Sequence, residues 1–364
     1  MTPPALTIRS LRAVAVTVPM ARPLGTSAAT VRAAPLLLID LETEQGVTGR
    51  AYLFCYVPSA APALKHVIDE MLAAIKGDPV APVDIATKLS RRYTLIGVQG
   101  IVRMAMAGID IACWDALAIA AGMPLVTFLG GTPKKIPAYN SNGLGLMAPE
   151  AAADEAVELL AGGFRGVKLR LGYPTLEEDL NAVRAVRKRL PDDVALMVDF
   201  NQALSATEAV LRGRVLDQEG IYWFEEPIRH DDYTGNAAIA RAIATPLQIG
   251  ENFSGVQAMA AAIDAHACDY VMPDLERIGG VTGWQRAAGL AAAHGLQMSS
   301  HLFPEVSAHL LTVTPTCHWL EYVDWAAPIL AEPLRIENGN AVVPATPGNG
   351  LTWDETAVAH YRVG

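Results

Sequence analysis

Three carboxylates recur at equal intervals in this chain. Asp199 closes Met197-Val198-Asp199, Glu225 closes Tyr222-Trp223-Phe224-Glu225, and Glu251 follows Leu247-Gln248-Ile249-Gly250. The steps from Asp199 to Glu225 and from Glu225 to Glu251 are both 26 residues. A repeated strand-loop-helix-loop unit consumes about 20 to 30 residues, so the three acids are expected at matching strand ends, pointing into one mouth. Like charges gathered there call for a cation, and an oxygen-only ligand set without Cys or His favours Mg2+ over Zn2+. A lone acid would more often be a salt bridge or a helix cap; three in matched settings favour a metal site.

Other groups fall in step with the acids. Lys168 and Arg170 are one residue apart in Val167-Lys168-Leu169-Arg170-Leu171 and so share one face of a strand. Beside carboxylates they can hold an anionic substrate, shift one another's pKa, or only balance charge. Asp274 and His301 end the next strands. A carboxylate there orients the imidazole and favours its protonated form, which makes His301 a tunable acid/base rather than a structural histidine. Glu321, after His318-Trp319-Leu320, ends the last strand. Burial there is expected to keep it protonated and able to donate to a developing oxyanion; the alternative is an acid paired with a cation.

These residues need a scaffold that sets them at one end of a sheet. From Ile136 onward strands and helices alternate, with polar strand ends at Ser141, Lys168 with Arg170, Asp199 with Asn201, Glu225, Glu251, Asp274, His301 and Glu321. Eight such strands predict a (β/α) barrel, residues 131–329, with its active site on the C-terminal face. Pro149-Glu150 and Ser205-Ala206-Thr207-Glu208 are helix starts. Upstream, residues 8–19 and 35–57 read as strands and 59–76, 82–92 and 100–121 as helices, an α+β unit spanning 1–130. Leu129-Gly130-Gly131-Thr132-Pro133 marks the boundary. Between the first strands, Arg22 to Val31 is a small, nearly uncharged loop able to fold over a pocket. In the last segment, 330–364, Ile336 to Val343 carries an Asn338-Gly339 hairpin turn, expected to rejoin the N-terminal unit.

Composition excludes several classes. The chain has 364 residues, 51% hydrophobic and 18% charged, which supports a large core. A net charge of −10 argues against nucleic acid and anionic membranes as partners. Its basic clusters, Arg91-Arg92 and Arg187-Lys188-Arg189, are short and read as solvated surface. Met104 to Met123 is apolar but carries Asp110 and Asp115, so it reads as a core helix, not a membrane span. Cys55, Cys113, Cys268 and Cys317 stand singly, as reduced thiols of a cytoplasmic protein do, and Met1-Thr2-Pro3-Pro4-Ala5 lacks the layout of a secretion signal. Gly143-Leu144-Gly145 has no third spaced glycine, which gives a dinucleotide fold no support.

Consecutive motifs carry a family resemblance. Val198-Asp199-Phe200-Asn201-Gln202, Phe224-Glu225-Glu226-Pro227, Gly250-Glu251-Asn252, Met272-Pro273-Asp274 with Ile278-Gly279-Gly280-Val281-Thr282-Gly283-Trp284, and Ser299-Ser300-His301-Leu302-Phe303 resemble the mandelate racemase group of the enolase superfamily. The similarity spans nearly the whole chain. It implies a modified (β/α)7β TIM-like barrel with an N-terminal α+β capping domain completed by the C-terminal segment. It further implies Mg2+ on Asp199, Glu225 and Glu251, with His301 as a base supported by Asp274. Lys168 and Glu321 would hold the substrate carboxylate from opposite sides, with Asn201 and Ser141 as further contacts. Leu24 and Val31 fall where the racemase has apolar lid residues, and Tyr56 adds an aromatic.

The resemblance has departures. Arg170 stands where the racemase pattern Lys-x-Lys has its second lysine, the base opposite the histidine. Deprotonating Arg at pH 7 costs on the order of 8 kcal/mol, so Arg170 is a poor base and an electrostatic clamp is the alternative. Asn142 replaces a histidine and Arg277 a lysine. The expected partner is a small-molecule 2-hydroxycarboxylate, undergoing Mg2+-dependent α-proton abstraction through an enolate, with racemisation or dehydration to follow. An acid-sugar dehydratase using His301 as sole base, and a non-catalytic carboxylate-binding barrel, are the alternatives. A capped barrel this rich in apolar residues is also expected to form homo-oligomers.

Overall fold

The computed structural model describes residues 5–27 and 29–363. Residues 1–4, at the start read as lacking a secretion signal, and Ala28, within the stretch that the sequence reads as a loop, lie outside the described residues.

The N-terminal unit is a three-stranded antiparallel sheet, β1 (Ile8–Gly25), β2 (Thr30–Thr43) and β3 (Thr48–Phe54), covered by α1 (Ala60–Ile75) and α3 (Gly100–Ala120), with α2 (Pro82–Arg92) packed on those helices. In α1 the buried residues Ala61, Leu64, Ile68, Met71 and Ile75 follow helical spacing, so one face meets the sheet. Helix α3 is buried on nearly every side, as its composition predicts. Its two acids serve backbone donors: Asp110 accepts from Thr282 N at 2.9 Å, and Asp115 from Arg50 N at 2.7 Å and Asn349 N at 2.6 Å. Burial raises both to about 7 against these bonds.

The stretch read as a loop over a pocket is largely a strand ribbon: residues 22–25 belong to β1 and 30–31 to β2, and only the tip between them lies outside the strands. Pairing of β1 with β2 resumes after a register shift, with Leu24 opposite Val31 and Gly25 opposite Thr30. Extending the ladder satisfies backbone groups that a loop would leave to solvent. The tip rests on the barrel, where Leu146 N donates to Gly25 O at 2.9 Å and Ser27 Oγ to Phe200 O at 3.3 Å.

A short helix, α4 (Leu125–Phe128), leads to β4 (Lys135–Asn140). There follow α5 (Pro149–Glu158), β5 (Gly166–Arg170), α6 (Leu176–Arg189), β6 (Ala195–Asp199), α7 (Ala206–Leu216), β7 (Ile221–Glu225), α8 (Tyr233–Ala242) and β8 (Leu247–Ile249). The barrel is completed by α9 (Val256–Asp264), β9 (Tyr270–Val271), α10 (Leu275–Ile278), α11 (Gly280–Ala293), β10 (Gln297–Met298), α12 (Pro304–Thr312) and β11 (Leu320–Tyr322). Strands β4 to β10 are parallel neighbours in chain order, and β11 pairs parallel with β4. Bonds from Met298 N to Thr316 O and from Ser300 N to Trp319 O join the β10 and β11 segments and close the ring. Among the described residues this is the expected (β/α)7β barrel. Ser205 and Glu208 form a capping box at α7, as the sequence predicts.

Below the mouth the barrel is solid. Tyr139, Met197 and Trp223 fill its interior, with the Tyr139 and Trp223 rings edge-on at 5.4 Å. A Cβ on Gly166 would lie 3.0 Å from Tyr139 Cβ and 3.1 Å from Met197 Cε, so the glycine makes room for this floor.

The C-terminal segment divides its contacts. Its hairpin, β12 (Ile336–Glu337) and β13 (Asn340–Val342), pairs antiparallel with β4 and extends the barrel sheet rather than rejoining the N-terminal unit. Residues 135–137 of β4 precede the stretch that pairs with β11, so their free backbone groups accept β13. The chain beyond the hairpin returns to the cap. Asn349 Nδ2 donates to Arg50 O, Trp353 Nε1 to Asp40 Oδ1, and the segment ends in α13 (Glu355–Tyr361) with Val363 N bonded to Ala15 O. Among the described residues no helix is long and apolar enough to cross a membrane.

Candidate active site

Strand order brings the predicted residues to one mouth. Lys168 and Arg170 lie on β5, Asp199 ends β6, Glu225 ends β7, and Glu251 stands two residues past β8. One oxygen from each of Asp199, Glu225 and Glu251 lies within 4.8 Å of the others. The backbone around them is held in an uncommon conformation: φ is 45° at Asn201, 64° at Gln202, 36° at Glu226 and 50° at Leu302. Such strain persists where surrounding contacts impose it, and it collects at functional sites.

The electrostatics explain why a cation fits. Lys168, 1% exposed, bonds Glu225 Oε1, and its Nζ lies 2.8 Å from Glu321 Oε1 and 3.5 Å from Asp199 Oδ2. Burial opposes its charge, but Glu225, Glu321 and Asp199 outweigh that and raise its pKa. Burial likewise raises Glu225, which stays at about 8 because Asp199, Glu321 and Glu251 crowd it despite Lys168. Burial is the larger cause for Glu225, but both shifts share a contribution from a surplus of negative charge, which favours any added positive charge. A hard divalent ion among these oxygens would offset it.

On the far side, His301 Nδ1 sits 2.7 Å from Asp274 Oδ2, while Asp274 Oδ1 accepts from Glu276 N and Arg277 N at the start of α10. The helix cap fixes the carboxylate, the carboxylate fixes the imidazole, and Nε2 is left facing the mouth. It lies 3.5 Å from Glu251 Oε2 and 4.0 Å from Glu321 Oε2. Burial lowers the imidazole pKa, but Glu251, Glu321 and Asp274 together raise it to about 9.

Glu321 corrects the expectation of a neutral acid. Burial raises it, yet Lys168, His301 and the bond from Leu302 N at 2.8 Å overcome this and hold it well below the ordinary carboxylate range. It is a charged carboxylate because two cations face it. Arg170 is held by four hydrogen bonds. Its Nη1 donates to the carbonyls of Ser141 (2.9 Å), Gly143 (3.0 Å) and Lys168 (3.1 Å), and Nη2 to Ser141 Oγ (2.9 Å).

The remaining predicted contacts divide. Asn201 donates from N and Nδ2 to the two Asp199 oxygens, leaving a buried Oδ1 without a partner among the described residues. Asn142 is engaged by the scaffold, its Nδ2 donating to Asn140 Oδ1 and its Oδ1 accepting from Asp324 N. Leu24 and Val31 face each other on the ribbon, and Tyr56 lies under Arg277, whose Cζ is 4.3 Å from the ring centroid. Sequence reading missed Trp223, whose Nε1 donates to Glu225 Oε2 at 3.0 Å, and Asn252, which bonds Glu226 and Glu251. Trp223 had a signal, its i, i+2 position on the strand face of Glu225.

A capped (β/α)7β barrel with three convergent carboxylates and a His-Asp pair at its mouth defines a class of barrel enzymes built around a divalent ion. Residues 8–130 match the mandelate racemase / muconate lactonizing enzyme N-terminal domain, and residues 151–357 the enolase C-terminal domain-like family. The chain belongs to the enolase superfamily, in its mandelate racemase / muconate lactonizing enzyme group. L-talarate/galactarate dehydratase of Salmonella typhimurium is 34% identical over 294 residues, 80% of this chain and 73% of that protein. The crystal structure of an enolase from the bacterium BAL199 with bound Mg superposes with a TM-score of 0.96 at 49% identity, covering 98% of this chain and 100% of the other. An enolase from Bradyrhizobium, complexed with magnesium and mandelic acid, gives 0.95 at 41% identity with 100% of both chains covered.

Proposed function

We propose that the chain is a Mg2+-dependent enzyme that removes the α-proton of a 2-hydroxycarboxylate through an enolate, with His301 taking the proton. Asp199, Glu225 and Glu251 would hold the ion. The bound ion supplies the positive charge against which the substrate carboxylate can gather the enolate's second negative charge. Lys168 holds that carboxylate by its charge, and Glu321 fixes Lys168 and the Leu302 amide from the other side. Asn201 offers its free Oδ1 to a substrate hydroxyl. Asp274 keeps Nε2 of His301 directed at the α-carbon.

The observation that carries the outcome is Arg170. Its Nη1 and Nη2 are tied to Ser141 O, Gly143 O, Lys168 O and Ser141 Oγ, which holds the guanidinium in place, and arginine gives up a proton only at a large intrinsic cost. One-base chemistry on the His301 face follows, and it suits dehydration. The imidazolium that has taken the α-proton protonates the departing β-hydroxyl, water leaves, and the enol product becomes a 2-keto acid. Racemisation is the second reading, favoured by the apolar pair Leu24 and Val31, by Tyr56, and by the mandelic acid bound to the Bradyrhizobium relative.

The test is α-carbon deuterium exchange with Mg2+ and a panel of 2-hydroxy acids, followed by assays for 2-keto acid and for the opposite enantiomer. Keto-acid formation from substrates bearing a β-hydroxyl is expected. Binding of the acids without any exchange would instead support a non-catalytic carboxylate-binding barrel.

The metal reading has its own pH signature. Without a cation, His301 stays protonated up to about 9, and its charge lies 3.5 Å from Glu251. Mg2+ must bind against that charge and against the proton that Glu225 holds up to about 8, so its affinity is expected to rise from pH 7 to 9 and level off above, with proton release on binding. Calorimetry in buffers of different ionisation enthalpy reads both; an affinity constant across this range would contradict the assignment.

We also propose self-association, supported by Leu95, which is 100% exposed, and Ile96 at 74%. Mass by light scattering tests it.

A further inference from the structure

We infer that Tyr56 and Arg277 form a positioning pair that makes Mg2+ affinity depend on docking of the cap, through the amide of Asn252. The inference rests on the metal reading above and concerns groups that do not themselves hold the ion.

The chain of contacts starts in the cap. Tyr56 lies just past β3, at φ 60°, with Phe54 packed edge-on at 4.6 Å and the Arg277 guanidinium on its ring at 4.3 Å. Arg277 belongs to the barrel, in α10, and no carboxylate lies within ion-pair distance of it among the described residues. Its charge is held by the aromatic face and by the summed field of Asp274, Glu251 and Glu276, which outweighs burial.

That guanidinium decides how Asn252 is oriented. Nη1 donates to the main-chain oxygen of Glu251 at 3.0 Å and to Oδ1 of Asn252 at 2.5 Å. Arginine has no acceptor, so the amide oxygen must face it and Nδ2 must face away. Nδ2 then donates to both oxygens of Glu226, at 3.1 and 2.8 Å, and to Oε1 of Glu251 at 3.2 Å. With the amide reversed, an oxygen would meet two carboxylates. Arg277 thereby fixes both the backbone and the side chain of the third triad residue, and the Tyr56 ring holds Arg277 in place from the other domain.

Coupling of this kind is reciprocal: if docking of the cap presents Glu251, an ion on Glu251 tightens the cap. Removing a group that orients a metal ligand typically costs 10- to 100-fold in metal affinity. The experiment is calorimetric titration of the full chain with MgCl2, without substrate, for wild type, Tyr56→Phe, Tyr56→Leu and Arg277→Met, each checked by thermal melting.

The expected result is a Kd within about twofold of wild type for Tyr56→Phe, which keeps the ring, and about tenfold weaker for Tyr56→Leu. Arg277→Met should be at least as weak, and Tyr56→Leu combined with Arg277→Met no weaker than Arg277→Met alone. A folded Tyr56→Leu protein with wild-type Kd overturns the inference, as does equal weakening by Tyr56→Phe, which would place the effect in the hydroxyl. Failure of the wild type to take up Mg2+ would overturn the metal reading itself, a separate result.

Discussion

His301→Asn is expected to lower α-proton exchange by about a thousandfold or more while leaving Mg2+ bound. General-base catalysis alone is worth roughly 10^2 to 10^4 in rate, and Arg170 offers no second base to share the loss. Asparagine keeps a hydrogen bond to Asp274 and roughly the shape of the imidazole, so Asp274 is not left as an unpaired buried charge. The variant therefore separates chemistry from folding. The metal side has a sign of its own: in the cation-free protein the imidazolium faces Glu251 at 3.5 Å. Removing that charge should make Mg2+ binding at pH 7 tighter than in wild type, not weaker. NMR in D2O follows the exchange and calorimetry the ion. Exchange within tenfold of wild type would remove His301 from its proposed role.

Much of this site was legible because the fold repeats. A parallel barrel returns the chain to the same face once per unit, so the equal steps between Asp199, Glu225 and Glu251 and the polar strand ends from Ser141 to Glu321 read directly as one mouth. What could not be read depends on groups far apart in sequence. The charge on Glu321 is set by Lys168 and His301, and burial considered alone predicts the wrong state. The ribbon at Leu24 and Val31 looks like a loop because its small residues carry no alternation, yet its ladder continues. The β12–β13 hairpin was recognised from Asn338-Gly339 but not its partner, because the free backbone at residues 135–137 exists only once β11 has claimed the rest of β4. Asn252 acquires its orientation from Arg277, 25 residues on.

Arg170→Lys tests the outcome of the reaction rather than its first step. Arginine titrates about 2 to 3 units above lysine, so the neutral, proton-accepting fraction at a given pH rises by about a hundred- to a thousandfold on substitution. Lys168, two residues away on the same strand face, would lower the new amine further by repulsion. A base on the face opposite His301 lets a proton leave on one side and return on the other. The variant is therefore expected to racemise a single enantiomer of a 2-hydroxy acid that the wild type only exchanges or dehydrates. The substitution also has a structural cost. An ammonium has three donors, against the four bonds that Arg170 makes to Ser141 O, Gly143 O, Lys168 O and Ser141 Oγ. Leaving a buried acceptor unpaired costs about 1 to 3 kcal/mol, read as a lower melting temperature. Polarimetry on one enantiomer, alongside a keto-acid assay, gives the ratio of racemisation to elimination. If that ratio does not rise in a folded variant, residue 170 does not face the α-carbon, and racemisation in this chain would need a base other than the one the family pattern places there.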